Sequence, residues 1–324
     1  MKAIRIDGTG GPDVMTLADV PVPKPQPGEV LVRQTVAGIN FIDIYIRTGL
    51  YKRETPFTAG QEGAGTIEAV GEGVTDLRAG ERVGYCATPH LGGYAEYNTV
   101  PAREAVPLPD GVDDAVGCAS MLQGLTAHYL THATYPVTAG DTVLVHAAAG
   151  GVGRLVVQMA KARGATVIAT AGGAEKGDLA RSAGADYVID YTTADFAPEV
   201  KRITGNAGVA AVYDSVGADT FERSMSVLRP RGYLVLYGGS SGPVPPVDPQ
   251  RLAAAGSVFL TRPTLVDYKR TREELLCRAR DIFAAIESKR LDVRIGRTYP
   301  LADAAQAHRD LEARKTTGKV LLAV

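Results

Sequence analysis

The sequence predicts an α/β protein with a doubly wound, six-stranded parallel sheet, preceded by a compact β-rich module. Three observations predict it. Residues 143–173, VLVHAAAGGVGRLVVQMAKARGATVIATAGG, read as strand, glycine turn, helix and strand. Strands and helices then alternate from 142 to about 260. Residues 60–106, by contrast, hold short β-type runs separated by Gly-rich turns, the pattern of an all-β module.

The central unit is justified first. TVLVHA (142–147) is short, apolar and β-branched, as expected of a parallel strand buried on both faces. Ala149, Gly150, Gly151 and Gly153 permit a tight turn. Val152, Leu155, Val156, Met159 and Ala160 recur at helical spacing, and Gly164 closes that helix. Backbone N–H groups and the positive helix end at such a turn suit a pyrophosphate. The six positions 148–153 carry alanine where the usual dinucleotide fingerprint has its first glycine, so the flanking strand and helix carry the reading.

From the start of the chain, MKAIRI is a strand and VPVPKPQPGEV (20–30) an extended crossing too proline-rich for a helix. EVLVRQTVAGIN (29–40) is a long strand, and FIDIYIRTGL (41–50) a short helix or turn ending at Gly49. GTIEAV, ERVGYC and GGYAEYNTV are the β runs. Asp113–Ala119 and Gln123–Tyr135 are expected as two helices. The parallel strands are expected at 142–147, 165–170, 186–190, 209–214, 232–237 and 257–260, with helices at Lys176–Ala183 and Thr220–Leu228. A short helix follows near Arg251–Ala255. Thr271–Ser288 places Leu275, Leu276, Ala279, Ile282, Phe283 and Ile286 on one helical face. Ala302–Arg314 is a further helix and Lys319–Val324 a last strand.

The chain of 324 residues is 45% hydrophobic and 22% charged with a formal charge of −1, which fits a globular protein of two domains. The neutral balance argues against a dedicated nucleic-acid surface. No apolar run reaches membrane-spanning length, and MKAIRIDG lacks the apolar core of a signal peptide, so a cytoplasmic location is expected. Cys86, Cys118 and Cys277 are far apart and form no CxxC pair, which excludes a disulfide framework and a four-cysteine zinc loop.

Together, NFIDIYIRTGLY (40–51), VGEGVTDLRAGERV (70–83), QGLTAHYL (123–130), HAAAGGVG (146–153), VYDSVG (212–217), TRP (261–263) and HRDLEARKTTGKVLL (308–322) span essentially the whole chain. They resemble the medium-chain dehydrogenase/reductase superfamily in its zinc-free, zeta-crystallin-like NADPH:quinone oxidoreductase branch. The AxxGxxG form of Ala147, Gly150 and Gly153 is the one this branch carries. The resemblance implies a GroES-like catalytic domain, 1–122 completed by 262–324, and a Rossmann NADPH-binding domain, 123–261. It also implies a homodimer, with strand Ser257–Leu260 pairing across a two-fold axis.

Zinc-dependent relatives carry a cysteine near the start of the 40–43 segment and a histidine in a GHE triplet. Here the residues are Asn40 and the triplet Gly60-Gln61-Glu62. Amides are poor zinc ligands beside thiolate and imidazole, so no metal site is expected. His128 and His132 stand four apart on an expected helix but have no evident third ligand. Without a Lewis acid a simple ketone is a hard substrate. A quinone needs less help, because its reduced form is an aromatic phenolate.

The cofactor expected is NADPH. NAD sites hold the ribose with a carboxylate at the end of the second strand. Here that strand ends in Ala171, Gly172 and Gly173, with Lys176 following and Glu175 beside it. Tyr191 closes the third strand, where relatives bring a tyrosine to the 2′-phosphate, and Arg314 matches a further cofactor contact. The resemblance also places Asn40 and Tyr45 near the nicotinamide half, and Gly150, Gly151 and Val152 at the pyrophosphate. Val216, Gly238, Ser240, Pro263 and Leu265 line the remainder. Asn40, Tyr45, Tyr51 and Arg262 are the candidate catalytic donors for a developing oxyanion. Asp43 matches the family motif, with a turn or cap role as good a reading as a catalytic one. The alternatives are an NADPH-dependent enone or enoyl-thioester reductase, with Tyr51 as proton donor, and a non-catalytic NADPH- or RNA-binding protein.

Overall fold

The structure, a computed structural model, describes residues 1–324. The chain forms two units: Met1–Leu125 with Lys269–Val324, and Thr126–Tyr268.

The first unit begins with strands β1 (Lys2–Ile6), β2 (Met15–Asp19) and β3 (Glu29–Ile39), followed by helix α1 (Phe41–Arg47). Strands β4 (Phe57–Thr58), β5 (Glu62–Val70), β6 (Arg82–Cys86), β7 (Tyr97–Pro101) and β8 (Val106–Pro107) follow, then helix α2 (Asp114–Tyr129). Its main sheet is organised on β3. One edge of β3 pairs with β5. The other edge is shared in series: Glu29–Arg33 pairs with β7, and Val36–Ile39 pairs with the last strand of the chain. Register shifts at Leu31/Val32 and Gln34/Val36 interrupt the β3–β5 pairing. Val30, Val32, Ile67, Val83 and Val100 fill one core. Ile4, Ile6, Ile39, Ile46, Val320 and Leu322 fill another.

The second unit alternates strands and helices, as its sequence pattern predicts. It runs β9 (Thr142–Val145), α3 (Gly151–Ala162), β10 (Thr166–Ala171), α4 (Ala174–Ser182), β11 (Tyr187–Asp190) and α5 (Phe196–Ile203). It continues β12 (Val209–Asp214), α6 (Phe221–Ser226), β13 (Leu228–Leu236), α7 (Gln250–Ala254) and β14 (Phe259–Thr261). The six strands are ordered β11-β10-β9-β12-β13-β14, and every neighbouring pair is parallel. This is the doubly wound dinucleotide order, with its switch point between β9 and β12. The chain returns to the first unit through α8 (Arg272–Glu287), β15 (Ile295–Pro300), α9 (Ala304–Glu312) and β16 (Lys319–Ala323).

Four differences from the sequence expectation have physical reasons. The two helices expected at 113–135 are one helix, α2, closed by a wide turn over Leu130–Thr134. Its internal glycines are packing positions rather than breaks: a Cβ at Gly117 would lie 2.7 Å from Leu108. Helix α5 was not expected, and Pro198 stands in its first turn. In the first turn a proline costs no helical hydrogen bond, and Asp195 caps the start by accepting from Ala197 N–H at 3.1 Å. Strands β2 and β15 are mostly exposed and lack a clean apolar alternation. Finally, Arg262–Tyr268 belongs to the second unit. There Tyr268 stacks on Tyr129 with centroids 4.3 Å apart, and Arg262 donates to Leu236 O at 2.9 Å.

Candidate active site

In the second unit the expected nucleotide turn is built on the switch point. After β9, His146 N–H donates to Tyr213 O and Ala148 N–H to Thr170 O, both at 3.0 Å. The turn is therefore tied to both neighbouring strands. Ala147 takes a left-handed φ of 50°. Gly153 must be glycine, because an added Cβ would sit 2.9 Å from Ala148 Cα. Helix α3 starts at Gly151 with no acidic residue in its first turn, so its free N–H groups face no competing charge.

A buried polar relay braces the same strand ends. Asp214 Oδ1 accepts the N–H groups of Val216 (2.8 Å) and Gly217 (3.0 Å). Thr220 Oγ1 donates to the same carboxylate at 2.7 Å and Ser224 Oγ at 3.0 Å. Because Ser224 donates to Asp214, its oxygen accepts from His146 Nε2 at 2.9 Å. His146 Nδ1 then accepts from Thr170 Oγ1 at 2.9 Å. Burial holds His146 below its ordinary pKa, so the ring is neutral. No Ser/His/Asp grouping was legible in the sequence, yet the fold assembles one. It is not a nucleophile site: all three residues are buried, and the serine proton points at the aspartate rather than the histidine.

The remaining expected residues of this unit fall around the strand ends. Ser240 N–H donates to Ser215 O at 3.1 Å and Ser241 N–H to Val216 O at 2.8 Å, which lays the loop after β13 on the loop after β12. Gly238 lies where a Cβ would meet Ser215 Cα at 2.8 Å. Leu265 is buried, Pro263 half-buried and Arg262 exposed. At the β10 tip, Gly172 lies under Tyr191: a Cβ there would stand 2.6 Å from the tyrosine hydroxyl. Lys176 is half-buried on α4 and Glu175 exposed. The sequence reading missed Asp190. It comes from the end of β11, and its Oδ1 accepts Gly173 N–H at 3.0 Å.

The first unit holds Asn40, Tyr45, Tyr51 and Arg314. Asn40 precedes α1, is 5% exposed, and has its amide engaged at both ends. Its Nδ2 donates to Glu62 Oε2 at 2.7 Å. Its Oδ1 accepts from Lys319 Nζ at 2.8 Å and from Gln123 Nε2 at 3.4 Å. Lys319 and Glu62 also form an ion pair, both fully buried, and Leu122 N–H donates to Glu62 Oε1 at 2.6 Å. The ring centroids of Tyr45 and Tyr51 are 5.4 Å apart, edge to face, and Tyr51 is 41% exposed. Arg314 is exposed beyond α9 in the left-handed region, φ 57°.

A second chain of buried groups anchors α1. Asp43 Oδ2 accepts Asn40 N–H at 2.8 Å and the Tyr94 hydroxyl at 3.0 Å. Tyr94 Oη meets His308 Nε2 at 3.1 Å, and Arg47 Nη1 meets His308 Nδ1 at 3.1 Å. An arginine can only donate, so His308 accepts at Nδ1 and donates from Nε2. Arg47 also binds Glu312 at 2.6 Å. Burial raises the Asp43 carboxyl to about 7. Burial, with Arg47 beside it, lowers His308 to about 3. Asp43 Oδ1 is buried without a hydrogen-bond partner. The cap reading of Asp43 describes its contacts: it holds the start of α1.

Two family models match the chain. Residues 26–110 match the alcohol dehydrogenase GroES-like domain, and residues 151–275 match the zinc-binding dehydrogenase domain. The quinone oxidoreductase of Pseudomonas aeruginosa is 44% identical over 322 residues, 99% of each chain. The chain belongs to the quinone oxidoreductase family of medium-chain dehydrogenases/reductases. A 2-haloacrylate reductase of a Burkholderia species is 43% identical over 329 residues, 99% of this chain and 98% of that protein. Among solved structures, a mycobacterial protein complexed with NADPH is 51% identical with a TM-score of 0.97, each chain covered in full. The Escherichia coli quinone oxidoreductase complexed with NADPH is 42% identical with a TM-score of 0.98, again over both whole chains.

The donor chemistry of this family member does not fit a zinc ion. No group of three or more His, Cys, Asp or Glu converges anywhere in the chain. The Asn40 amide is held by Lys319 and Glu62, and an ammonium group lies where a cation would have to compete with it. The His128 and His132 rings stack face to face, centroids 4.1 Å apart, an arrangement of packing rather than ligation. Gly153, Gly172 and Gly238 let the chain pack closely on itself, since a Cβ there would meet Ala147 O, the Tyr191 hydroxyl and the Ser215 backbone.

Proposed function

We propose that this protein reduces quinones with NADPH and without a metal ion. The observation that carries the reading is the Asn40–Glu62–Lys319 cluster, which engages both ends of the Asn40 amide; Asn40 and Gln61 stand where zinc-dependent relatives carry a cysteine and a histidine. An acceptor reduced here must need no Lewis acid, and a quinone meets that requirement because aromatisation stabilises the phenolate formed. Full-length likeness to named quinone oxidoreductases supports the same acceptor class.

NADPH, when bound, supplies the hydride; the chain's own residues bind, orient and donate. The first turn of α3, Gly150, Gly151 and Val152, receives the pyrophosphate through backbone N–H groups. Gly172, Lys176 and Tyr191 receive the 2′-phosphate, with Lys176 contributing a charge-assisted bond. Val216, Gly238, Ser240, Pro263 and Leu265 line the remainder, and Arg314 adds a further cofactor contact. Asn40 and Tyr45 serve the nicotinamide half. Asn40 does so as a fixed amide whose NH₂ already serves Glu62. Tyr45 and Tyr51, side by side with Tyr51 exposed, are the better donors to a developing oxyanion. Arg262 is a third, with one guanidinium nitrogen engaged by Leu236 O.

We also propose that the protein is a cytoplasmic homodimer in which β14 pairs across a two-fold axis. β14 is an edge strand of the parallel sheet. Its Phe259 is 49% exposed and stacks on Tyr233. A monomeric mass by light scattering at micromolar concentration would remove this element.

A second reading, reduction of an activated C=C bond, is favoured by the 2-haloacrylate reductase likeness. The deciding experiment is NADPH and NADH oxidation with benzoquinone, phenanthrenequinone and an enone, all with EDTA present. NADPH-selective, chelator-insensitive turnover of the quinones is expected, with Tyr51→Phe lowering kcat modestly. Turnover confined to the enone and abolished by Tyr51→Phe would replace the quinone reading with the second. NADPH binding with no turnover on any acceptor would turn attention to a non-catalytic role.

A further inference from the structure

Specific NAD sites place a carboxylate at the tip of the second strand of the sheet. In this chain the tip of β10 carries none, yet a carboxylate reaches it from the next strand. In the parallel register Ala171 stands opposite Asp190, and Tyr191 N–H donates to Ala171 O at 3.2 Å. The end of β11 therefore lies against the turn that leaves β10. Asp190 Oδ1 accepts Gly173 N–H at 3.0 Å, Thr192 N–H at 2.9 Å and the Thr192 hydroxyl at 2.7 Å. Two adjacent residues of one turn thus receive opposite polar groups. Gly172 lies under the Tyr191 hydroxyl, and Gly173 is tied to the Asp190 carboxylate.

We propose that Asp190 is a specificity-determining residue, which holds the preference for NADPH over NADH below the level that Lys176 and Tyr191 would set alone. The inference rests on the assignment of Gly172, Lys176 and Tyr191 to the 2′-phosphate. A phosphate received there meets a fixed negative charge one residue away, whereas a ribose hydroxyl meets an acceptor. The Thr192 hydroxyl, and the Gly173 and Thr192 amides, stabilise the ionised form and hold the carboxyl below its ordinary range, so the charge persists throughout the neutral pH range. The three bonds also fix its position, so it cannot swing away when an anion enters.

The test is the NADPH/NADH ratio of kcat/KM, measured in parallel with calorimetric binding of NADP⁺ and NAD⁺. Asp190→Asn keeps the shape and an oxygen acceptor for Gly173 N–H while removing the charge. The ratio is expected to rise by about tenfold, chiefly through KM for NADPH, and the gain should shrink as salt screens the charge. An unchanged ratio, or equal losses for both cofactors, would overturn the proposal and leave Asp190 as a support for the turn. Lys176→Ala separates the two levels of the argument. If it collapses the ratio while Asp190→Asn leaves it unmoved, this proposal alone fails. If Lys176→Ala leaves the ratio unmoved, the phosphate assignment fails and the proposal falls with it. Asp190→Ser, read by the same binding ratio, decides the matter should the asparagine variant not fold.

Discussion

The two units bury polar groups in different ways. Around α1 in the first unit the polar set is built on ion pairs: buried Lys319 pairs with buried Glu62, buried Arg47 pairs with the exposed Glu312, and Asp43 accepts from Asn40 N–H and the Tyr94 hydroxyl. At the strand ends of the second unit, one carboxylate, Asp214, collects two amides and two hydroxyls, and a neutral His146 passes the chain on to Thr170. The first arrangement orients side chains, since it fixes both ends of the Asn40 amide and the helix bearing Tyr45. The second orients backbone, since it holds the turns after β9 and β12. A charged cluster concentrates its cost in the last partner removed, because the survivor is a buried ion. A carboxylate served by four donors loses one bond at a time.

Removing one charge from the first cluster should break the comparison most strongly. Lys319→Met leaves the fully buried Glu62 carboxylate without its cation and is expected to cost about 3–5 kcal/mol in urea unfolding. The double variant with Glu62→Gln should recover most of that loss. Recovery of none of it would mean that Lys319 acts through packing alone.

Two groups of the same cluster give opposite pH signatures. Asp43 stands at about 7 against an ordinary 3.8, so the folded state holds its proton more tightly than the unfolded chain does. Its contribution to stability is whole below about 4 and is lost as pH rises through 7. His308 stands at about 3 against 6.5, so its contribution is whole above about 6.5 and is lost as pH falls towards 3. The two oppose each other across the shared window. Relative to wild type, Asp43→Asn should therefore gain stability as pH rises from about 4 to 7, and His308→Gln should lose it as pH rises from about 3 to 6.5. Urea midpoints across that range read both slopes, and parallel slopes would contradict the assignment.

The smallest expected effect belongs to the Asp214 relay. Ser224→Ala removes one of the donors to Asp214 and the acceptor of His146 Nε2. It should cost about 1–3 kcal/mol, with little pH dependence above 6, and should raise KM for NADPH more than it lowers kcat. A loss as large as that of Lys319→Met would erase the distinction between the units.

The doubly wound sheet was legible because its inner strands β9, β10 and β12 are buried on both faces and read as short apolar runs. The family was legible in local motifs such as HAAAGGVG and NFIDIYIRTGLY. The partners of those motifs were not. Asn40 can be picked out by its motif, but Lys319 reaches it across 279 residues, and Tyr94 meets His308 across 214. No spacing rule spans such gaps. Asp190 carries no local signal for a related reason: a ribose carboxylate is expected at the end of β10, and this residue arrives by pairing from β11. Strands β2 and β15 escaped because mostly exposed strands carry little apolar signal.

The pairing of β16 with Val36–Ile39 has a consequence for biosynthesis. The ribosome delivers β3 early, then the whole of Thr126–Tyr268, and only at the end the strand that completes β3's edge. The second unit is contiguous and can close while the first still has an open strand edge and a Glu62 carboxylate awaiting its lysine, 257 residues downstream. Strand β7 covers the Glu29–Arg33 half of that edge soon after it emerges, which limits the exposed template to four residues, Val36–Ile39. A nascent chain stalled before Lys319 therefore leaves both Val36–Ile39 and β15 without their strand partner, while the contiguous second unit has all of its strands.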